Sequence, residues 1–154
     1  MTALPSEQEI ATLQDTLTAY MERKGLRSTN QRRIVSEVFF RTAGHLSIDD
    51  MLGLVRKQDS RVGYATVYRT MKLLVECGLA SERQFDDTVT RFEVAQKDGH
   101  HDHLICLECK RIVEFEDDEI ERLQESLARR YGYKLRSHKH ELYGVCTNCQ
   151  QRQV

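Results

Sequence analysis

The 154-residue sequence predicts an α+β fold in two parts, an N-terminal winged helix-turn-helix domain and a smaller C-terminal α/β domain. Three observations predict it. Four stretches with helical apolar spacing are followed by two short β segments. A polar stretch ending in glycine, Gln96-Lys97-Asp98-Gly99, then interrupts the pattern. Beyond it, strand-like and helical segments are bracketed by two Cys-x-x-Cys pairs, Cys106/Cys109 and Cys146/Cys149.

The elements follow in order. Ser6 with Glu9 forms a capping-box pattern, after which Ile10, Leu13, Leu17 and Met21 recur at helical spacing and Gly25 supplies a stop. A second helix is expected from about Thr29, with Ile34, Val35, Val38 and Phe39 as its apolar stripe, ending before Gly44. Ser47-x-x-Asp50 caps a third, with Met51, Leu52 and Val55 inward. A fourth is expected from about Tyr64 to Cys77, burying Val67, Met71, Leu74 and Val75, with Gly78 closing it. Leu79 to Phe85 and Thr88 to Val94 read as two β segments joined across Asp86-Asp87. Three helices, a fourth and a hairpin are the order of a winged helix-turn-helix, with the fourth helix as recognition helix.

In the second part, Leu104–Leu107 and Arg111–Phe115 are expected as strands. The acidic run Glu116-Asp117-Asp118-Glu119 suits the first turn of a helix, where the helix dipole favours negative charge. That helix is expected to turn Ile120, Leu123 and Leu127 inward and to end at Gly132. Lys134 to Val145 is strand-like and available to pair across a dimer axis. A β-α-β unit of some 55 residues has a small core, so a structural metal and a partner subunit would both help it. The expected domains are residues 1–95, a hinge at 96–99, and residues 100–154.

Composition narrows the class. Hydrophobic residues make up 40% and charged residues 31%, too polar for a membrane protein and too apolar for a disordered one. No apolar run could span a bilayer and the N-terminus lacks a signal pattern, so a cytoplasmic location is expected. In a reducing compartment, paired cysteines read as zinc thiolates rather than disulfides. Cys77, at the end of a helical pattern, reads as a packing residue. Net charge is −1, but Arg23, Lys24, Arg27, Arg32 and Arg33 form a basic run with no acid among them. Such a local patch suits phosphate contact.

The fourth helix opens Gly63-Tyr64-Ala65-Thr66-Val67-Tyr68-Arg69-Thr70. Tyr64, Thr66, Tyr68 and Arg69 offer hydroxyls, phenols and a guanidinium near its N-terminus. Arginine suits guanine O6 and N7, and an aromatic face suits a thymine methyl, so double-stranded DNA is the expected partner.

The stretch from Gly99 to Cys109 holds three of the six histidines and two of the five cysteines. Along an extended strand, His101 and His103 point one way while His100 and Asp102 point the other. Ligand pairs on both faces point to more than one metal. Cys106, Cys109, Cys146 and Cys149 together complete a tetrahedral thiolate shell, which is closed to substrate and therefore structural, with Zn2+ as the expected ion. The remaining donors, His45, Glu93, Glu114, Glu121 and His138 besides those of the strand, are imidazoles and carboxylates, a set suited to iron(II), manganese or zinc. Spacing alone leaves open which of them pairs with which strand face.

The sequence resembles the ferric uptake regulators over essentially its whole length. The resemblance rests on the Gly63-to-Arg69 helix start, the run His100-His101-Asp102-His103-Leu-Ile-Cys-x-x-Cys, Ile112-x-Glu114-Phe115, and the closing Cys-x-x-Cys. It implies a winged-helix domain hinged to an α/β dimerisation domain in a metal-responsive, mostly repressing transcription factor. It also implies a regulatory metal site of His45, Glu93, His101, His103 and Glu114, joining the domains. A further site would use His100, Asp102, Glu121 and His138, while His140 matches no ligand position. Tyr68 and Arg69 match base-contacting positions, and Arg27 matches a residue entering an A/T-rich minor groove. Metal held by residues of both domains would fix the hinge, and in a dimer would set the separation of two recognition helices on an operator.

The glutamates at positions 93 and 114 favour an iron(II) sensor, with Mn2+ or Zn2+ able to substitute. Peroxide sensors of this type usually carry Asp at both positions, and zinc sensors often recruit a thiol; both readings stay open as alternatives. A metal-dependent hydrolase using His101, His103 and Glu114 needs a cleft that no motif supplies, so no enzyme is expected. A zinc-stapled interaction module without DNA binding is a third reading. Homodimer and tetramer are both compatible with the sequence.

Overall fold

The computed structural model describes residues 4–85, 88–95 and 101–152, which fall into two compact units, residues 4–95 and residues 101–152. The expected hinge at 96–99, the Asp86-Asp87 connection and His100 lie outside the described residues. No described helix is long and apolar enough to cross a membrane.

The first unit contains α1 (Glu7–Arg23), α2 (Asn30–Phe40), α3 (Ile48–Arg56), α4 (Tyr64–Glu76) and the antiparallel strands β1 (Ala80–Gln84) and β2 (Thr90–Val94). Local chemistry sets the helix starts. Ser6 and Glu9 form a reciprocal capping box at α1, as do Ser47 and Asp50 at α3, and the Thr29 hydroxyl caps α2. Gly25 and Gly78 take φ values of +66° and +75°, which a side chain would resist, and so release the chain from α1 and α4. The core is one cluster in which Leu17, Val35, Phe39, Phe40, Met51, Val55, Val67, Met71 and Leu74 are fully or almost fully buried. On α4, Thr70 and Leu73 are buried beyond the expected stripe, while Val75 is only partly covered. Thr70 tolerates burial because its hydroxyl donates to the Thr66 carbonyl at 2.7 Å. Leu46 and Phe92 pair as an isolated bridge, with both backbone hydrogen bonds made, so the loop after α2 is sewn onto the hairpin.

The second unit is a three-stranded sheet of order β4-β3-β5 with two helices. Its elements are β3 (Asp102–Cys106), β4 (Ile112–Phe115), α5 (Asp118–Arg130), β5 (Glu141–Gly144) and the short α6 (Thr147–Gln151). β4 runs antiparallel to the central β3, and β5 runs parallel to it on the other side. Asp117 caps α5, and acidic residues fill its first turn as the helix dipole favours.

Two expectations for this unit are corrected. Of the strand-like stretch 134–145, only Glu141–Gly144 is strand, and it pairs in parallel with β3 of the same chain. The helix α5 buries none of its residues: Leu123 is 63% and Leu127 52% exposed, and Ile120 is half-buried. Its apolar spacing marks a face that the described residues leave largely exposed. The second Cys-x-x-Cys opens a helical turn, α6.

Candidate metal centres and nucleic-acid interface

The four cysteines converge within the second unit. Cys106 ends β3 and Cys109 follows in a tight turn closed by Lys110, whose φ is +61°. Cys146 caps α6 and Cys149 lies in it. One ligand atom from each lies within 4.8 Å of all the others. The Cys109 and Cys146 sulfurs are 3.7 Å apart, and the Cys146 backbone N–H donates to the Cys106 sulfur at 3.4 Å. Backbone N–H groups of Cys146 and Cys109 bring the Cys106 thiol down to about 6. Cys149 is pushed up to about 12, first by its hydrogen bond to Cys146 and then by burial. The Cys106 thiol is eased towards ionisation and the Cys149 thiol is held back, a resistance that a cation among the four sulfurs would offset. The donor set fits tetrahedral zinc.

β3 presents two further donor sets on opposite faces. In its register His103 stands opposite Glu114 on β4, and the rings of His101 and His103 meet edge to face at 5.0 Å. Nε2 of His101 is 3.6 Å from the Glu114 carboxylate. His103 is buried, and His101 and Glu114 are half-buried. On the other face, the buried Asp102 has Oδ1 3.8 Å from Nε2 of His138, which is 3.2 Å from Glu121 on α5. Donor atoms of Asp102, Glu121 and His138 lie within 4.8 Å of one another. A buried carboxylate facing imidazole and a second carboxylate suits a divalent cation of the iron, manganese or zinc type. His140, which matched no ligand position, has its Nδ1 3.4 Å from Oδ2 of Asp102.

In the first unit, His45 follows α2 and Glu93 lies on β2, next to the two residues of the Leu46–Phe92 bridge. That bridge aligns them, and Nε2 of His45 is 2.9 Å from Oε2 of Glu93. Oε1 of Glu93 accepts from Nε of Arg83 at 2.9 Å. Arg83 was absent from the expected residues, although as a β1 residue two along from Ser81, the register partner of Glu93, it is a diagonal neighbour.

On α4, Tyr64, Tyr68 and Arg69 are exposed and Thr66 is half-buried. The two tyrosine rings are nearly parallel, 6.5 Å between centroids. Lys72, one turn further on, reaches over Tyr68 at 5.8 Å and forms an ion pair with Glu82 of β1 at 2.7 Å. The i, i+4 spacing of Tyr68 and Lys72 is the signal that could have found it. Arg27 is exposed, and its carbonyl accepts from Arg32 at 2.6 Å. Cys77 is partly buried, its thiol donating to the Leu74 carbonyl at 3.4 Å, and burial raises its titration point.

Comparison with known proteins gives a consistent result. Residues 23–143 match the model of the ferric uptake regulator family. The ferric uptake regulation protein of Rhizobium leguminosarum bv. viciae is 37% identical over 130 residues, covering 84% of this chain and 91% of that protein. The one from Campylobacter jejuni is 36% identical over 132 residues, covering 84% and 83%. Among solved structures, the ferric uptake regulator of Helicobacter pylori, a protein reported with three functional metal binding sites, superposes with a TM-score of 0.87. It is 32% identical, and 97% of each chain is covered. A zinc-bound manganese uptake regulator is 37% identical with a TM-score of 0.72, covering 85% of this chain and 98% of that one.

Proposed function

This chain belongs to the ferric uptake regulator family, and from that premise we propose that it senses iron(II) through a site shared by its two units. It is a metal-dependent, DNA-binding transcriptional regulator with an α+β fold, a structural zinc and a second, regulatory metal. Its relatives are named as regulators rather than as enzymes.

In this proposal His45 and Glu93 from the first unit and His101, His103 and Glu114 from the second are ligands of one regulatory ion. The observation that carries the reading is the split of donors by β3. His101 and His103 stand with Glu114 on one face, and Asp102 stands with Glu121 and His138 on the other. One strand thus feeds two nitrogen-and-oxygen sites beside a separate thiolate site. The absence of sulfur among these donors supports iron(II), with Mn2+ or Zn2+ able to substitute. Iron(II), when bound, supplies a cation to which donors of both units can coordinate at once. His45 and Glu93 are anchored through Leu46–Phe92 to the hairpin and to the end of α2, so restraining them restrains the orientation of α4. Asp102, Glu121 and His138, with His100, form the additional site.

The chain acts as a homodimer through its second unit, a reading supported by the uncovered Leu123 and Leu127 of α5. Two α4 helices then face an operator at a spacing set by the hinge, with Tyr68 and Arg69 on base edges, Tyr64 and Thr66 alongside, and Arg27 in the minor groove. Metal shifts the population of hinge angles towards the one that fits, so affinity rises with no new DNA contact.

The test is anaerobic operator binding at fixed salt, with zinc retained in the thiolate site, during separate titrations with iron(II), manganese(II) and zinc(II). Tightening by iron(II) at the lowest free concentration relevant to cells supports the proposal. Equal binding with and without added metal overturns it.

A further inference from the structure

We propose that Lys72 is a positioning residue for base reading by Tyr68: tethered to Glu82 of the hairpin, its ammonium holds the Tyr68 ring in place before DNA arrives. This rests on the reading of α4 as the recognition helix.

The residues meet where α4 packs on the hairpin. Tyr64, Tyr68 and Lys72 follow one another at i, i+4 spacing and so share one face of α4. Glu82 on β1 is the register partner of Phe92 on β2, and such partners project to the same side of a hairpin. Lys72 reaches that side. Its Nζ donates to both Glu82 oxygens, at 2.9 Å and 2.7 Å, and lies 6.0 Å from the centre of the Phe92 ring, which is buried. It also lies 5.8 Å from the centre of the Tyr68 ring. One ammonium thus spans a carboxylate and a buried ring of the hairpin and an exposed ring of the helix.

Stability does not account for this arrangement. The paired side chains of Lys72 and Glu82 are 37% and 35% exposed, and an ion pair so open to water contributes little to folding. What the two-oxygen grip fixes is position. It also holds the Lys72 ammonium in its charged form, raising its titration point, and a charged head is attracted to the face of an aromatic ring.

Tyr68 is the residue that gains from being held. It is 44% exposed, and a tyrosine on an open helix face has more than one allowed rotamer. Freezing such a side chain on binding weakens the contact it makes, so a ring ordered beforehand binds better. Tyr64 lies nearly parallel to it, with 11° between the ring planes. Tyr68 therefore has an aromatic neighbour one turn before it and a cation one turn after. Restrained from both directions along the helix, its exposed remainder can meet a base edge or a thymine methyl in one geometry. Glu82, an acid that by charge alone would repel a phosphate backbone, has its place explained by the lysine it holds.

The experiment uses the full chain with zinc in the thiolate site and saturating Mn(II), and double-stranded DNA sites selected by that protein from a random-sequence pool. Discrimination among single-base variants of a selected site is measured at several salt concentrations. Tyr68→Ala is expected to lower discrimination at one base pair by about fivefold or more. Lys72→Met, which keeps the stem without the charge, is expected to lower it at the same base pair by about 2–5-fold, the size of an exposed cation–ring attraction. Glu82→Gln should do likewise by releasing the lysine. Lys72→Arg, whose guanidinium can fork onto Glu82 and stack on the ring, should restore it. In the pair Lys72→Met, Tyr68→Ala the losses should not add, whereas those of Lys72→Met and Arg69→Ala should. Far-UV circular dichroism and thermal unfolding verify the fold of each variant.

A lysine that instead grips a phosphate gives a different pattern. Lys72→Met would then weaken all sites equally and reduce the salt slope by about one, and Glu82→Gln would tighten all sites equally. Either result with base preference unchanged overturns the inference. If Tyr68→Ala itself keeps the native base preference, the reading of Tyr68 as a base-contacting residue fails and the inference falls with it. If Tyr68→Ala loses that preference and Lys72→Met does not, the inference alone fails.

Discussion

The Glu93 carboxylate is gripped by both oxygens, Oε2 at 2.9 Å from His45 and Oε1 at 2.9 Å from Arg83. The loop after α2 and both hairpin strands thus meet at one charge. Replacing that charge while keeping the shape separates electrostatics from packing. Glu93→Gln is expected to raise the iron(II) concentration needed for operator binding by at least about tenfold, ligand loss costing no less than loss of an orienting partner. Fluorescence anisotropy of labelled operator during metal titration measures it, and DNA affinity at saturating metal should recover.

The thiolate centre ties the end of β3 to α6. Because donor sets of this kind form only in the folded state, metal binding energy is folding energy. Cys106→Ser, or removal of zinc with a strong chelator, is expected to destabilise the second unit by more than about 3 kcal/mol. Zinc content and thermal unfolding, recorded on the same samples, check this. The helices of the first unit should melt last.

Arg69 is exposed near the start of α4. If it reads a guanine, Arg69→Ala should cost about 1–3 kcal/mol and relax base preference at one operator position. Arg27→Ala should instead weaken binding most at sites with A/T-rich flanks, where the narrow groove concentrates negative potential. Binding to a panel of single-base operator variants distinguishes the two.

Leu123 and Leu127 expose much of their surface on α5. If this face forms the proposed dimer, the native chain is expected to sediment as a dimer and a double Leu123→Glu, Leu127→Glu variant as a monomer at the same concentration. Helical content should be retained, because neither side chain is buried within the chain. A variant that stays dimeric would place the interface elsewhere.

Much of this was legible in the sequence because the signals are local. Ser6/Glu9 and Ser47/Asp50 are capping boxes at fixed spacing, and both form. Strand alternation separated His101 and His103 from Asp102 before any partner was known. What was hidden depends on long-range register. The parallel pairing of His103 with Glu141 brings His140 beside Asp102, and no spacing rule anticipates it. The α5 stripe misled for another reason. Periodicity marks an apolar face but not what covers it, and among the described residues Leu123 stays 63% exposed. The buried Thr70 escaped notice because its hydroxyl is satisfied by its own helix.

The central claim is that one regulatory ion is shared by the two units, and a double-mutant cycle tests it most directly. His45→Ala, His101→Ala and the pair together would be compared by the iron(II) dependence of operator binding. If both imidazoles serve one ion, either single change removes most of the metal response and the double adds little, a strongly non-additive cycle. Independent losses that simply sum would mean that each unit binds its own metal, and would contradict the account.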